Sequence, residues 1–429
     1  MPLRSSALLA ALAAAIAWTG PAACQDAAPG NPAPEGAAPA LIQPDDLVYL
    51  GAFRLPGPSG ASSWEWGGDA LAYSPDGDPD GPDDGFPGSL FGVGHDHQQH
   101  VSEVSIPAPV VSKPKSVNEL PTARTLQPFT NIRPDAFRDY EIYRVGLAYL
   151  PPQGRQSAPK LYWCWGRHME EHAAGPSHGW CERDLSRPDV AAPWCIAQLE
   201  HYATCDYLLE IPAPWADAHT PGMRLATGRF RDGGQGGKGP CLYAVGPWNH
   251  GNPPDPGARI DAVPLLQNST AYVEENHPMD GYAEADEWSG AAWLTAGRKS
   301  ALVFVGTKGL GKCWYGFAEG TVWPDEGPFP PVPPAPNDQR GWWSERFEAR
   351  LLLYNPADLA AVAEGRAKPH EPQPYASMSL EPCLFAVKGT QQKYQVRAAA
   401  ADPERGLLYV VEHRADEDKP LVHVWRATP

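Results

Sequence analysis

Acidic residues at three places in the chain have the surroundings to share acid–base chemistry: Asp69, Glu141, and Asp286 or the adjacent Glu287. Each stands just before a short run of small and apolar residues, and Trp or Tyr lies close by in every case, at Trp64, Trp66, Tyr140 and Trp288. Two carboxylates ~5–10 Å apart can cleave a glycosidic bond, one as acid and the other as nucleophile or base. Arg144, Arg229, Arg231, Asp232 and Arg397 occupy comparable positions, and His95, Asp96, His97 and Trp248 fall in nearby turns. Indole faces stack on sugar C–H surfaces, while carboxylates and guanidinium groups bind hydroxyls. These residues therefore suit a carbohydrate or another polar ligand. The competing reading is that the same charges are ion pairs holding strands together around a channel.

Metal chemistry has its own candidates. Residues 76–85 read DGDPDGPDDG, and the alternating Asp76, Asp78 and Asp80 followed by Gly81 repeat the first half of a calcium loop. Pro87 stands where an EF-hand has its bidentate Glu, so Asp84 or Asp83 would have to substitute. Two readings stand side by side: a structural calcium site, and a solvated acidic hairpin loop. Residues 168–172, HMEEH, match a zinc-peptidase pattern, with His178 as a third ligand, but Gly and Pro follow too soon for a stable helix. Residues 175–179, GPSHG, match G-x-S-x-G without the strand-turn-helix a nucleophile elbow needs. His95 and His97 alternate, which in an extended segment puts both on one side.

The elements that would position these groups are strands. The strings LFGVGH (90–95), YWCWGR (162–167), LYAVGP (242–247), LVFVGT (302–307) and LYVVEH (408–413) are apolar runs, four of them closed by Gly. A second strand rich in small residues precedes several of them, at 69–73, 145–149, 290–294 and 396–400. A third follows at 101–106, 207–211, 349–354 and 421–425. Repeated antiparallel units with almost no helical periodicity predict an all-β chain folded as a β-propeller of five blades. Residues 384–387 could hide a sixth, and a strand at 47–53 would complete the last blade. A β-sandwich, or two small β domains, is the alternative. In a propeller, the turn into each innermost strand and the loop between the second and third strands open on one face. That face would gather the acids, arginines, histidines and Trp248 named above, with the acidic loop on the other face. A short helix is expected from Pro356 to Gly365. Pro-rich 328–336 reads as a stiff excursion near Trp342 and Trp343.

The strings VGHD (93–96), TGRFRDGG (227–234) and GWW (341–343) resemble those of uncharacterised exported bacterial β-propeller proteins. The resemblance covers nearly the whole chain beyond the leader. It implies export and a propeller, and no activity. Similarity to the five-bladed arabinanase-like glycoside hydrolases is one of fold alone.

Residues 1–24 read as a signal peptide: Arg4, an apolar run from Ala7 to Trp18, then small residues before Cys24. A small-small-Cys ending also resembles a lipoprotein signal, which would anchor the chain by lipid at Cys24. Residues 25–43 read as an Ala/Pro/Gly-rich linker and 44–429 as a single propeller domain. The expected location is the periplasm, the outside of the cell, or a lipid-anchored position at the envelope. No later stretch is apolar enough to span a bilayer. With 34 basic against 51 acidic residues, a net charge of −17 excludes a general nucleic-acid binder. Cys164, Cys181, Cys195 and Cys205 cluster without a CxxC pair, so disulfides stapling a long loop are expected rather than a zinc knuckle. The function these readings favour is ligand binding on the central face. A glycoside hydrolase or lyase using paired carboxylates there, and a non-catalytic cell-surface protein-interaction scaffold, are the alternatives.

Overall fold

Apolar and β-branched runs separated by Gly- and Pro-rich turns form antiparallel strands, and these sort into five small sheets around one axis. The structure is a computed structural model that describes residues 40–78, 85–137, 144–166, 174–191, 193–230, 237–268, 277–389 and 391–429. Blade one contains Leu71–Ser74, Ser89–Val93, Val101–Ser105 and Thr125–Thr130 from the axis outward. Blade two contains Arg144–Leu150, Lys160–Gly166 and His178–Glu182, with Trp194 bonding back to His178 at its outer edge. Blade three contains Tyr207–Glu210, Leu225–Arg229, Cys241–Val245 and Ala262–Gln267. Blade four contains Glu287–Ala296, Lys299–Gly316, Gly341–Tyr354 and Pro374–Ser379. Blade five contains Val396–Asp402, Leu407–Asp416, Lys419–Ala427 and, outermost, Leu47–Arg54 from the other end of the chain. Each innermost strand packs against the next, and the fifth returns to the first, which closes the ring. The five-bladed propeller expected from the sequence is the fold observed.

Small residues make this convergence possible. A Cβ at Gly146 would lie 2.8 Å from the Leu208 backbone nitrogen, and one at Gly290 would lie 2.3 Å from the Arg397 carbonyl oxygen. With Ala70, Ala291, Ala398 and Ala399 they line an axial cavity of about 10 Å³, room for roughly one water. The axis is filled by packed side chains and leaves no room inside the ring for anything larger than water.

Blade five is tied shut by polar groups as well as by its ladder. The Tyr49 hydroxyl lies 2.9 Å from His423 Nδ1, and His423 Nε2 lies 2.8 Å from the Glu412 carboxylate. Glu412 also accepts from the backbone nitrogens of Phe385 and Ala386 at 2.7–2.9 Å. That contact corrects the idea of a sixth blade: residues 384–387 form no strand because a side chain takes their amides. Ala40 and Leu41, at the end of the expected linker, pair in parallel with Lys299 and Ser300. The helix Pro356–Ala363 forms as expected, with Asn355 accepting from the Ala357 nitrogen at its start.

One strand assignment shifts. Tyr207–Glu210 is the innermost strand of blade three, not the third strand of blade two, and residues 241–245 are third instead of second. The third strand of blade two is His178–Glu182, a segment whose Gly and Cys hide its strand character. In blade four, the second and third strands run on beyond the body of the sheet. They pair as far as Trp314 with Trp343 and Gly316 with Gly341, forming a ribbon that ends near the Pro-rich stretch.

Candidate functional site

We call the face where the innermost strands begin the upper face. Acids stand at the head of these strands and meet cations there. Asp69 accepts from Arg397 Nη1. Asp286 accepts from Lys308 Nζ at 2.8 Å and from the Gly309 backbone nitrogen at 2.8 Å. Asp206 lies 3.7 Å from Arg229 Nε and accepts from the Phe230 backbone nitrogen at 3.0 Å. Burial pushes the Asp286 carboxyl up, with Lys308 the strongest opposing influence. The expected site residues Asp69, Asp286, Arg229 and Arg397 thus all stand on this face, engaged in pairs.

One corner of the face differs. Blades one, four and five bring together Trp66, Glu287, Tyr394, Arg397, His413 and Arg414. The Tyr394 hydroxyl lies 3.3 Å from Glu287 Oε1, and the Arg397 guanidinium lies 5.5 Å from the centre of the Tyr394 ring. Arg414 covers the Trp66 indole at 3.6 Å and is held by Asp418 at 2.8 Å. Glu287 Oε2, Arg397 Nε and His413 Nε2 are withdrawn from solvent with no hydrogen-bond partner among the described residues. Burial, then the Arg414 charge, lowers Arg397 to about 10. Burial, then Arg397 and Arg414, lowers His413 to about 2, so its imidazole is neutral at ordinary pH. Trp66, Tyr394 and Arg414 have φ of 58°, 55° and 53°. Such left-handed backbone is costly for bulky residues and concentrates at functional sites.

The remaining expected residues are distributed as follows. His95, Asp96 and His97 are on the upper face, but in a tight turn and not an extended segment, because the Gln98 and Gln99 nitrogens both bond to the His95 carbonyl. The two imidazoles lie 5.3 Å apart, with Asp96 2.9 Å from His95 Nδ1. Arg144 begins the innermost strand of blade two. Trp248 is a correction. It follows the third strand of blade three, so it lies on the lower face, buried against Gly154 and Tyr162. Asp76 and Asp78 lie on the lower face as expected. Asp78 is held by Arg124 Nη2 at 2.9 and 3.0 Å, and Asp76 accepts from the Tyr149 hydroxyl at 2.5 Å. Glu141, Arg231, Asp232, Asp80, Asp84, the 168–172 motif and Cys24 lie outside the described residues. Ser177, in the 175–179 motif, leads into a strand and not a helix, so it forms no nucleophile elbow.

Two features escaped the sequence. Asp206 was hidden by the one-strand shift in blade three. Cys164, His178 and Cys205, all buried, offer two sulfurs and a ring nitrogen within 4.8 Å of one another. Their signal was the density of Cys and His between 164 and 205, but the grouping depends on strand register. None of the seven described cysteines is in a disulfide, which corrects the expected stapling of that loop.

No protein-family model matches the chain. No curated protein matches it. A crystal structure of glucose dehydrogenase aligns with a TM-score of 0.32 and 12% identity, over 88% of this chain and 98% of that chain. A likeness of that degree carries no assignment of activity. The resemblance to exported bacterial propellers meets the structure at the level of the propeller arrangement alone. No helix among the described residues is long and apolar enough to cross a membrane.

Proposed function

We propose that the corner of the upper face between blades one, four and five binds a polar, hydroxyl-rich ligand, a carbohydrate, without cleaving it. The observation that carries this reading is the set of buried atoms without partners there: a carboxylate oxygen, a guanidinium nitrogen and a neutral imidazole nitrogen. Acceptor and donor side by side, next to the Trp66 and Tyr394 rings, match the alternating hydroxyls and C–H faces of a sugar. Binding is favoured over hydrolysis because Asp69 and Asp286 are already committed to Arg397 and Lys308. That leaves Glu287 without a second unengaged carboxylate among the described candidates. The sequence of residues 1–24, which reads as a signal peptide, supports placing this binding outside the cytoplasm, where polysaccharides are met.

The test is retention of the protein on a panel of plant, algal and bacterial polysaccharides, with reducing ends assayed in parallel. Retention without new reducing ends, lost in Glu287→Gln and Trp66→Ala, is the expected result. Reducing ends that vanish in Glu287→Gln would replace binding by hydrolysis. No retention on any glycan would remove the carbohydrate reading.

A further inference from the structure

We propose that Cys164, His178 and Cys205 form a buried binding site for a thiophilic d10 cation, Zn²⁺ or Cu⁺. Cys164 and His178 are directly opposed on the second and third strands of blade two, so their side chains leave the same face of the sheet. Cys205 arrives from blade three, one residue after the short helix His201–Thr204. Its approach depends on Gly166, where a Cβ would lie 2.5 Å from the Cys205 Cβ. Gly146 likewise leaves space for the Cys164 sulfur, which would lie 3.0 Å from a Cβ there. The three ligand atoms lie within 4.8 Å of one another, so a small inward movement reaches the spacing set by metal–sulfur and metal–nitrogen bonds of about 2.3 and 2.0–2.1 Å.

The surroundings also orient the imidazole. Thr227 Oγ1 donates its single proton to the Thr204 carbonyl at 2.5 Å, so at 2.8 Å from His178 Nε2 it acts as acceptor. That fixes the proton on Nε2 and leaves the lone pair on Nδ1, now facing the Ser177 hydroxyl at 2.8 Å. A hydrogen-bonded partner on the far ring nitrogen is the usual support of a metal-ligating histidine. Binding of Zn²⁺ would displace one proton from each thiol, and two thiolates with a neutral imidazole would then offset the charge of the ion. Thiolate donors select Zn²⁺ and Cu⁺ over harder cations.

The experiment uses the reduced full chain. It is titrated with Co²⁺ as a spectroscopic stand-in for Zn²⁺, with Zn²⁺ in competition, and separately with Cu⁺ against a chromophoric chelator. One equivalent of either cation, with a sulfur-to-cobalt charge-transfer band in the Zn²⁺ arm, is the expected result. Binding is expected to be lost in Cys164→Ser and Cys205→Ser and unchanged in Cys313→Ser. Thr227→Val is expected to weaken it about 10-fold or more. If the serine variants fail to fold, the wild-type titration decides alone. Wild type that binds neither cation stoichiometrically, or that holds a Cys164–Cys205 disulfide which cannot be reduced without unfolding, overturns the proposal.

Discussion

Arg397 donates to Asp69 across the joint between the fifth blade and the first, a pair separated by 328 positions in the chain. It is one of three acid–cation pairs at the heads of the innermost strands, with Asp286–Lys308 and Asp206–Arg229. Only this one joins two blades. It lies on the upper face, where the chain's first and last blades meet, and also borders the proposed ligand corner.

Removing Asp69 leaves a largely enclosed guanidinium without its charge partner. Asp69→Ala is expected to lower the unfolding free energy by about 2–3 kcal/mol, toward the lower end for a broken buried pair because Arg397 keeps some solvent contact. Glu404→Ala, which removes the 3.6 Å contact between Arg405 and an exposed carboxylate, is expected to cost less than about 1 kcal/mol. Urea unfolding of the two variants compares them directly. Equal costs would show that the Asp69 pair is no more than a surface contact.

Gly290 tests the packing of the axis. Its φ is not in the left-handed region, so an Ala there is excluded by neighbours and not by backbone strain. The added Cβ would meet the Arg397 carbonyl oxygen at 2.3 Å and the Ala399 nitrogen at 2.8 Å, both backbone atoms that cannot rotate away. Gly290→Ala is expected to cost about 2–3 kcal/mol by overpacking. Gly257→Ala, with nothing within 4 Å of its new Cβ but a φ of +72°, is expected to cost about 1 kcal/mol. A thermal melt of each separates crowding from strain, and an unchanged melt for Gly290→Ala would contradict the packing described for the axis.

The propeller was legible in the sequence because every blade carries one copy of the same apolar pattern, on the second strand in four blades and on the third in blade three. The innermost strands of those four blades also carry Gly or Ala, a consequence of crowding at the axis. The closing strand was legible because residues 47–53, LVYLGAF, form an apolar run at the opposite end of the chain from the last repeat, which lacked an outer strand. What failed did so where local signal and register diverge. Residues 178–182 carry Gly and Cys in place of β-branched residues, so the third strand of blade two was overlooked and Tyr207–Glu210 was assigned to the wrong blade. Arg229 still reached the upper face, because the loop between second and third strands opens there too. Trp248 did not, since moving it one strand outward moves it to the opposite face. The Cys164–His178–Cys205 group could not be read at all, because it depends on which residues stand opposite each other across a sheet and between blades.

His413 makes a pH dependence of defined sign. Burial and two nearby arginines hold its folded-state pKa at about 2, whereas an unfolded imidazole takes up its proton near pH 6.5. Between those values the unfolded chain binds more protons, so stability contributed by neutral His413 is complete above about pH 6.5 and declines as pH falls. The decline is at most about 1.4 kcal/mol per pH unit from this residue. His413→Gln is expected to flatten the stability profile between pH 6 and pH 4, measured by urea unfolding at each pH. An unchanged slope would mean that His413 is protonated in the folded protein.

Calcium at the acidic loop has to compete for ligands that are in use. Asp78 is bidentate with Arg124, and Asp76 is held by Tyr149. Added CaCl₂ is expected to raise Tm in the full chain, and to raise it further in Arg124→Ala, where Asp78 is released. Saturation at 100 times Kd would add about 2.7 kcal/mol. A melt insensitive to both CaCl₂ and chelator in both proteins would remove the site.

The closing strand gives the most direct test of the ring. Leu47–Arg54 contributes the outer ladder of blade five, the buried Leu47, Ala52 and Phe53, and the Tyr49 hydroxyl that meets His423. Without it, Lys419–Ala427 becomes an edge with unpaired amides and an uncovered apolar side. An edge of that kind pairs with whatever strand it meets. A chain lacking residues 1–54 is therefore expected to lose cooperative thermal unfolding and to self-associate on size exclusion. A synthetic peptide of residues 40–56 should restore both the melt and the elution volume of the full chain by adding back the missing strand. A truncated chain that melts like the full one would mean that the blade-five ladder does not hold the ring closed.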